Sequence, residues 1–240
     1  MTKSAAPAIV LQDICLDFDG RKLFDHLDLT IAAGKCTCLL GPSGCGKSTL
    51  LRLISGNRAI TYSGTLSFSS TNHDVCWMSQ NDLLLPWMSL LDNVMLGARL
   101  RRRVNEQVRE KAAELLRSAG LSLYKDALPA TLSGGMRQRG ALLRTLMEER
   151  DLVLMDEPFS SLDALTRLKL QDLAAEMTHG KTVLLVTHDP MEALRMAHEI
   201  VVFPAVSAQP QKFTGLPGDV PRRPGDPDIV PHYNDLLAQL

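Results

Sequence analysis

The sequence predicts an α/β fold: a phosphate-binding core with an antiparallel β portion and an inserted helical subdomain. Three observations predict it. Gly41-Pro42-Ser43-Gly44-Cys45-Gly46-Lys47-Ser48-Thr49 fits the spacing G-x-x-x-x-G-K-[ST], between a β-prone run and a helical one. The runs 152–155 and 183–186 are apolar at every position, the pattern of strands buried on both faces of a parallel sheet. Val104, Val108, Ala112, Leu115 and Ala119 recur at helical spacing in the segment between the loop and those strands.

In chain order, residues 8–35 read as β-rich. Residues 9–11, 14–16 and 27–31 are short apolar or alternating runs, punctuated by Asp19-Gly20 and Ala33-Gly34. The phosphate loop follows the short run Cys36-Thr37-Cys38-Leu39-Leu40 and opens a helix that Gly56 can close. Its glycines let successive backbone N–H groups turn toward an anion, and the helix N-terminus adds partial positive charge at the same spot. Lys47 would reach terminal phosphates as a point charge, and Ser48 would put its hydroxyl on Mg²⁺.

A second β stretch covers residues 64–68 and 75–78, and Gln80 follows it directly, at a strand end where a polar side chain can meet a ligand. The helix over 104–119 can be closed by Gly120. Arg99, Arg101, Arg102 and Arg103 form a basic cluster there, a solvated helix face or a surface for lipid headgroups or a partner. Leu132-Ser133-Gly134-Gly135 opens a further helix through Leu142, Leu143 and Leu146, a second capped N-terminus and a second potential anion site.

Asp151-Leu152-Val153-Leu154-Met155-Asp156-Glu157 ends a buried strand in two carboxylates, at the end where open α/β sheets bind ligands. Asp156 would belong to the Mg²⁺ shell, and Glu157 could take a proton from an attacking water. The bland alternative is a strand followed by an acidic helix start. Thr182-Val183-Leu184-Leu185-Val186-Thr187 is another buried strand, ended by His188, which could donate a hydrogen bond to a γ-phosphate. Residues 201–203 read as an added edge strand. Seven of the thirteen prolines lie between Pro204 and Pro231, a stretch expected to be irregular, and 233–240 could form a short terminal helix.

Composition narrows the function classes. The 240 residues are 45% hydrophobic and 22% charged, enough for one large domain or a core plus a subdomain. A net charge of −1 argues against a chain that coats nucleic acid. No apolar run approaches the about 20 residues that span a bilayer, and Met1-Thr2-Lys3-Ser4-Ala5-Ala6-Pro7 lacks a secretory h-region. Five cysteines without a second pair at zinc spacing fit a reducing cytoplasm. Cys36 and Cys38 read as buried thiols on one strand face, and Cys45 as alkylation-sensitive if exposed.

Together these motifs resemble the ATP-binding subunit of ABC transporters along nearly the whole chain. Leu132-Ser133-Gly134-Gly135 looks like that family's signature loop, Gln80 its Q-loop glutamine, Asp163 in Ser160-Ser161-Leu162-Asp163 its D-loop, and His188 its switch histidine. Leu84-Leu85-Pro86-Trp87 with Asp92-Asn93-Val94 is similar to the importer branch that handles nitrate, sulfonates, taurine and thiamine-pyrimidine precursors. The resemblance implies one ATP-binding domain over 1–240. A P-loop NTPase core with its antiparallel β subdomain would occupy 1–85 and 147–240, and a helical signature subdomain 86–146. It implies ATP and Mg²⁺ as cofactors, with Gln80 joining Ser48 and Asp156 at the metal. Two copies would clamp ATP head to tail, with Ser133, Gly134 and Gly135 of one closing on the phosphate loop of the other.

Partners implied are a second copy, transmembrane permease subunits and, indirectly, a solute-binding protein, with no nucleic acid, at the cytoplasmic face of the membrane. Residues 83–88 would form part of a groove for the permease's coupling helix, or simply core of the helical subdomain. Three positions depart from the family pattern. Met136 stands where the signature carries Gln, and Gly140 lies inside a helix at a cost of about 0.8–1.0 kcal/mol relative to Ala. The adenine-stacking aromatic is assigned to Phe18, with Phe24 second. The resulting activity is hydrolysis of ATP to ADP and phosphate, driving import of a small solute. Two rivals are a non-transport ABC ATPase acting on DNA or ribosomes, and a small-molecule kinase built on the same loop.

Overall fold

In the computed structural model the elements run β1 (Ile9–Phe18), β2 (Arg21–Ile31), β3 (Cys36–Leu40), α1 (Lys47–Ile54), β4 (Ser63–Phe68), β5 (Val75–Met78), α2 (Leu90–Val94), α3 (Leu96–Leu100), α4 (Glu106–Ser118), α5 (Gly134–Met147), β6 (Leu152–Asp156), α6 (Ala164–Met177), β7 (Thr182–Thr187), α7 (Pro190–Met196), β8 (Glu199–Val202), β9 (Gln211–Phe213) and α8 (Val230–Leu237). The structure describes residues 6–18, 20–70, 74–203, 209–214 and 216–239. The chain separates into two units, one of Met1–Val75, Asp151–Glu157 and His179–Leu240, the other of Cys76–Arg150 and Pro158–Thr178.

The first unit holds two sheets. One is antiparallel, in the order β2-β1-β4. The other contains β6-β7-β3-β8-β9, parallel except for β9, which runs antiparallel to β8. The strands β3, β6 and β7 are buried at every residue, as expected for a sheet covered on both faces.

The antiparallel sheet obeys a different rule. Its inward residues on β1 are Ile9 and Leu11, then Ile14 and Leu16, so the two-residue period slips by one between the pairs. On β2 the slip falls between Phe24 and Leu27. Each slip is absorbed by a bulge. Leu11 faces Leu29 and Ile14 faces Leu27, then Leu16 faces Phe24, so first β1 and then β2 carries the extra residue. Asp13 (φ 56°) and His26 (φ 51°) adopt the left-handed backbone these bulges need. That conformation costs about 1–3 kcal/mol per residue. Keeping Ile14 and Leu16 inside contributes about 1.5–3 kcal/mol each, an amount comparable to that cost, and the observed register keeps both buried.

Residues 201–203 do not form an edge: β8 lies between β3 and β9. The edge is β9, inside the proline-rich stretch expected to be irregular. Pro210 precedes it, compatible with an edge strand because a proline there removes no ladder bond. Side chains around β9 also reach β2. Gln209 Nε2 donates to the carbonyls of Asp25 (2.8 Å) and His26 (3.2 Å), and Lys212 Nζ to that of Thr30 (2.8 Å). Further on, Arg222 is buried and donates to the carbonyls of Leu194 and Ala197, both at 2.7 Å, closing the C-terminus of α7.

The second unit is helical. Its α5 packs against α2, α3 and α4. Gly140 has a packing reason: a Cβ there would lie 2.6 Å from Leu90 Cδ1, and Leu90 is fully buried. Asn93 is buried on α2. Its Oδ1 accepts from Leu85 N–H (2.7 Å), and its Nδ2 donates to the carbonyls of Leu85 (3.1 Å), Met88 (3.0 Å) and Ser89 (3.0 Å). Arg99 pairs with Asp92, Arg101 with Glu148 and Lys111 with Glu149, so part of the basic cluster is an ion-paired helix surface. Among the described residues no helix is long and apolar enough to cross a membrane.

Candidate functional site

In the first unit, the site forms where β3, β6 and β7 end. Gly46 caps α1 with φ 104°, a backbone that L side chains rarely adopt, and its missing Cβ would lie 2.9 Å from Phe24 Cζ. Gly46 has no side chain with which to cap the first turn of α1, so the N-cap position leaves the outward N–H groups to another acceptor. Lys47 is buried and folds back over the loop: Nζ donates to the carbonyls of Gly41 and Pro42, both at 2.7 Å, and lies 3.5 Å from Cys45 Sγ.

Ser48 Oγ donates to Asp156 Oδ1 at 3.1 Å. Asp156 is the last residue of β6 and is 3% exposed. Burial pushes its carboxyl above the usual carboxylate range, the Ser48 hydroxyl opposes this, and the neighbouring charge of Glu157 adds to it. Glu157 follows in a left-handed turn, φ 49°, with its N–H on the Val186 carbonyl at 2.9 Å. Its Oε1 lies 3.0 Å from His188 Nδ1, at the end of the neighbouring strand β7. The parallel register that pairs Asp156 with Val186 brings these two groups together. Lys47, Ser48, Asp156, Glu157 and His188 thus gather in one unit.

An oxygen donor set of a serine hydroxyl and a buried carboxylate suits a hard dication such as Mg²⁺. The raised proton affinity of Asp156 marks a carboxylate that a cation would relieve.

The second unit places the other expected residues. Gln80 is exposed in the loop after β5. Ser133 caps α5, its Oγ accepting from Met136 N–H at 3.3 Å, so the hydroxyl proton stays available to another acceptor. Gly134 and Gly135 form the first turn of that helix. Asp163 caps α6, its Oδ1 accepting from Thr166 N–H at 3.0 Å, and that bond holds its carboxyl below the ordinary range.

Of the two aromatic candidates, Phe18 ends β1 with 51% of its surface exposed, a ring open to stacking. Phe24 is 4% exposed and tilts against Phe203 with ring centroids 6.4 Å apart, so it is a core residue under the phosphate loop. Cys45 is also buried, at 2% exposure, and thus shielded from alkylation in this form. Cys36 and Cys38 are buried thiols, that of Cys36 pushed up to about 12 by desolvation.

Sequence reasoning gave no role to Gln138, whose Oε1 accepts from Ser161 N–H (2.8 Å) and whose Nε2 donates to Ser160 Oγ (3.2 Å), fixing the segment before Asp163. It also missed Arg137 and Arg144, which hold the loop after Gln80 through Asp82 Oδ2 (3.1 Å) and the carbonyls of Asp82 (2.8 Å) and Leu83 (2.7 Å). The one available signal was their helical spacing, seven residues apart on α5.

A family model described as ABC transporter matches residues 24–160. An uncharacterized ABC transporter ATP-binding protein of Haemophilus influenzae is 43% identical over 234 residues, covering 96% of this chain and 97% of its own. The aliphatic sulfonates import ATP-binding protein SsuB of Delftia acidovorans is 40% identical, covering 99% and 95%. A solved dimeric structure of the ATP-binding cassette MJ0796, in a post-hydrolysis state bound to ADP and Pi, superposes with a TM-score of 0.73 at 27% identity, over 88% of this chain and all of that one. With that match running through the loop and the strand that carry Lys47, Ser48 and Asp156, the chain belongs to the ABC transporter family, as an ATP-binding and ATP-hydrolysing subunit.

Proposed function

We propose that this subunit hydrolyses Mg·ATP in a head-to-tail pair and uses the cycle to drive import of a small solute through separate permease subunits. The observation that carries the reading is the gathering of Lys47, Ser48, Asp156, Glu157 and His188 at the ends of β3, β6 and β7. Lys47 leaves the carbonyls of Gly41 and Pro42 to bind the terminal phosphates. Ser48, Asp156 and Gln80 would hold Mg²⁺, which supplies charge neutralisation at the β- and γ-phosphates when bound. Glu157 accepts a proton from the attacking water at a carboxylate oxygen. His188 uses one ring nitrogen on Glu157 and has the second for the γ-phosphate.

Positive potential on the far side of the γ-phosphate comes from the first turn of α5 in the second copy, with Ser133 donating its hydroxyl proton. Phe18 stacks on adenine, and Asp163 meets its counterpart segment near the paired sites. Leu83 and Trp87, 63% and 73% exposed, offer an apolar surface to the permease at the inner face of the membrane. The names of relatives such as the aliphatic sulfonates import protein of Delftia acidovorans favour a sulfonate or a chemically similar small anion as the solute.

The test is a mixed pair. Ser133→Arg on one copy should silence the site on the opposite copy, so that hydrolysis by a tethered mixed pair falls by about half or more. Full activity of a monomeric form would remove the paired site from the mechanism.

A further inference from the structure

The paired bulges of β1 and β2 bring together three side chains that the ATPase site does not use. Asp13 and Cys15 leave β1 and His26 leaves β2, and one donor atom of each lies within 4.8 Å of the other two. Asp13 Oδ1 and His26 Nδ1 are 2.5 Å apart and share a hydrogen. Cys15 Sγ accepts from the His26 N–H at 3.3 Å. The second ring nitrogen of His26 has an acidic neighbour of its own: Nε2 lies 3.8 Å from Asp25 Oδ1, and Lys22 Nζ holds that carboxylate at 2.9 Å.

We propose that Asp13, Cys15 and His26 form a surface site for a borderline-soft transition-metal dication such as Zn²⁺. The donor set of one oxygen, one nitrogen and one sulfur excludes Mg²⁺ and Ca²⁺, which take oxygen alone, and matches the mixed ligands of zinc. With metal–ligand bonds of about 2.0–2.3 Å, donors on a tetrahedral centre sit about 3.3–3.6 Å apart. The Asp13–His26 pair must open by about 1 Å and Cys15 close by a similar amount. Both are within reach of side chains that are 70% exposed at Asp13 and His26. The cation takes the place of the hydrogen those two residues share and displaces the Cys15 proton, so binding releases protons. Asp25 then serves as the outer carboxylate that orients a metal-bound histidine. The fourth position faces water.

The competing thiols are out of reach, because Cys36, Cys38, Cys45 and Cys76 are buried. The test uses the full chain, freed of metal by chelator and held in excess Mg²⁺ so that oxygen-only sites are filled. Co²⁺ is titrated in and read by the thiolate-to-cobalt charge-transfer absorption, then displaced with Zn²⁺. Three variants accompany it: Cys15→Ser, and Asp13→Asn and His26→Asn, since Asn tolerates the left-handed backbone at both bulges. Their ATP hydrolysis is measured in parallel as the check on folding. One equivalent of Co²⁺ should bind to the unaltered chain, the charge-transfer band should vanish in Cys15→Ser, and saturable binding at micromolar metal should be lost in the other two. Absence of saturable binding to the unaltered chain, or unchanged binding in Cys15→Ser or His26→Asn, overturns the assignment.

Discussion

Replacing Glu157 by Gln separates chemistry from architecture at this site. The amide keeps the length and branching of the side chain, and its Oε1 can still accept from His188 Nδ1, now 3.0 Å from the carboxylate. The left-handed backbone at φ 49° is no worse for Gln than for Glu, so folding stability should stay within about 0.5 kcal/mol. What disappears is the basic oxygen. A positioned general base contributes about 10²- to 10⁴-fold, equivalent to about 2.7–5.4 kcal/mol at 1.36 kcal/mol per decade. Phosphate release should fall by that factor while equilibrium ATP binding, measured separately, is unchanged. A rate within about tenfold of the unaltered chain refutes the role. The cycle with His188→Ala tests the subtler alternative, that Glu157 merely orients the imidazole. In that case either single change costs as much as both together.

Three further outcomes follow from the packing and electrostatics. Burial raises the proton affinity of Asp156 in the folded chain, so the folded state holds that proton more tightly than the unfolded state does. The associated stability is fully present below the ordinary carboxylate range and is lost as pH rises through the raised folded value. Asp156→Asn should flatten this acid-side decline in ligand-free melting temperature against pH, while abolishing Mg²⁺-dependent hydrolysis. An unchanged profile would show that Asp156 is not its source. Gly140→Ala should gain about 0.8–1.0 kcal/mol of helix propensity yet lose about 1–3 kcal/mol against Leu90, for a net loss of up to about 2 kcal/mol in denaturant unfolding. In a Leu90→Ala background the same change should stabilise, and equal effects in both backgrounds would remove Leu90 as the cause. Asn93→Ala strands the part-buried N–H of Leu85 and carbonyl of Met88, while the Ser89 carbonyl keeps the backbone N–H of residue 93, and should cost about 2 kcal/mol. A loss below about 0.5 kcal/mol would show the loop is held by other means.

The parts of the fold legible in the sequence were those written in local pattern. A glycine-rich turn before Lys47, an all-apolar run before Asp156, another before His188, and a serine followed by two glycines are each decided within a few residues, and each stands where its pattern put it. The features that escaped depend on partners far along the chain. Short β9 carries only Gln211, Lys212 and Phe213, too few to show alternation, and it exists because β8 supplies a ladder. That Phe24 is a core residue depends on Phe203, 179 positions beyond it, which packs against that ring. Gly140 read as a defect in its helix until Leu90 was seen to need the space. The bulges were visible in principle, as two apolar pairs out of phase by one residue on each strand, but a phase slip also fits a turn, and only pairing decides between them.

The side chains that reach β2 from around β9 have a bearing on solubility. As the outermost strand of its sheet, β2 presents carbonyls to which another molecule could add a strand. Those of Asp25, His26 and Thr30 are already occupied by Gln209 and Lys212, and the bulge interrupts whatever flat run remains. If it works as the proposed pair, the molecule can thus be crowded at high local concentration without zipping into fibrous aggregates through this margin. Replacing Gln209 and Lys212 by Ala would strip that guard and should show as precipitation rather than as a loss of catalysis.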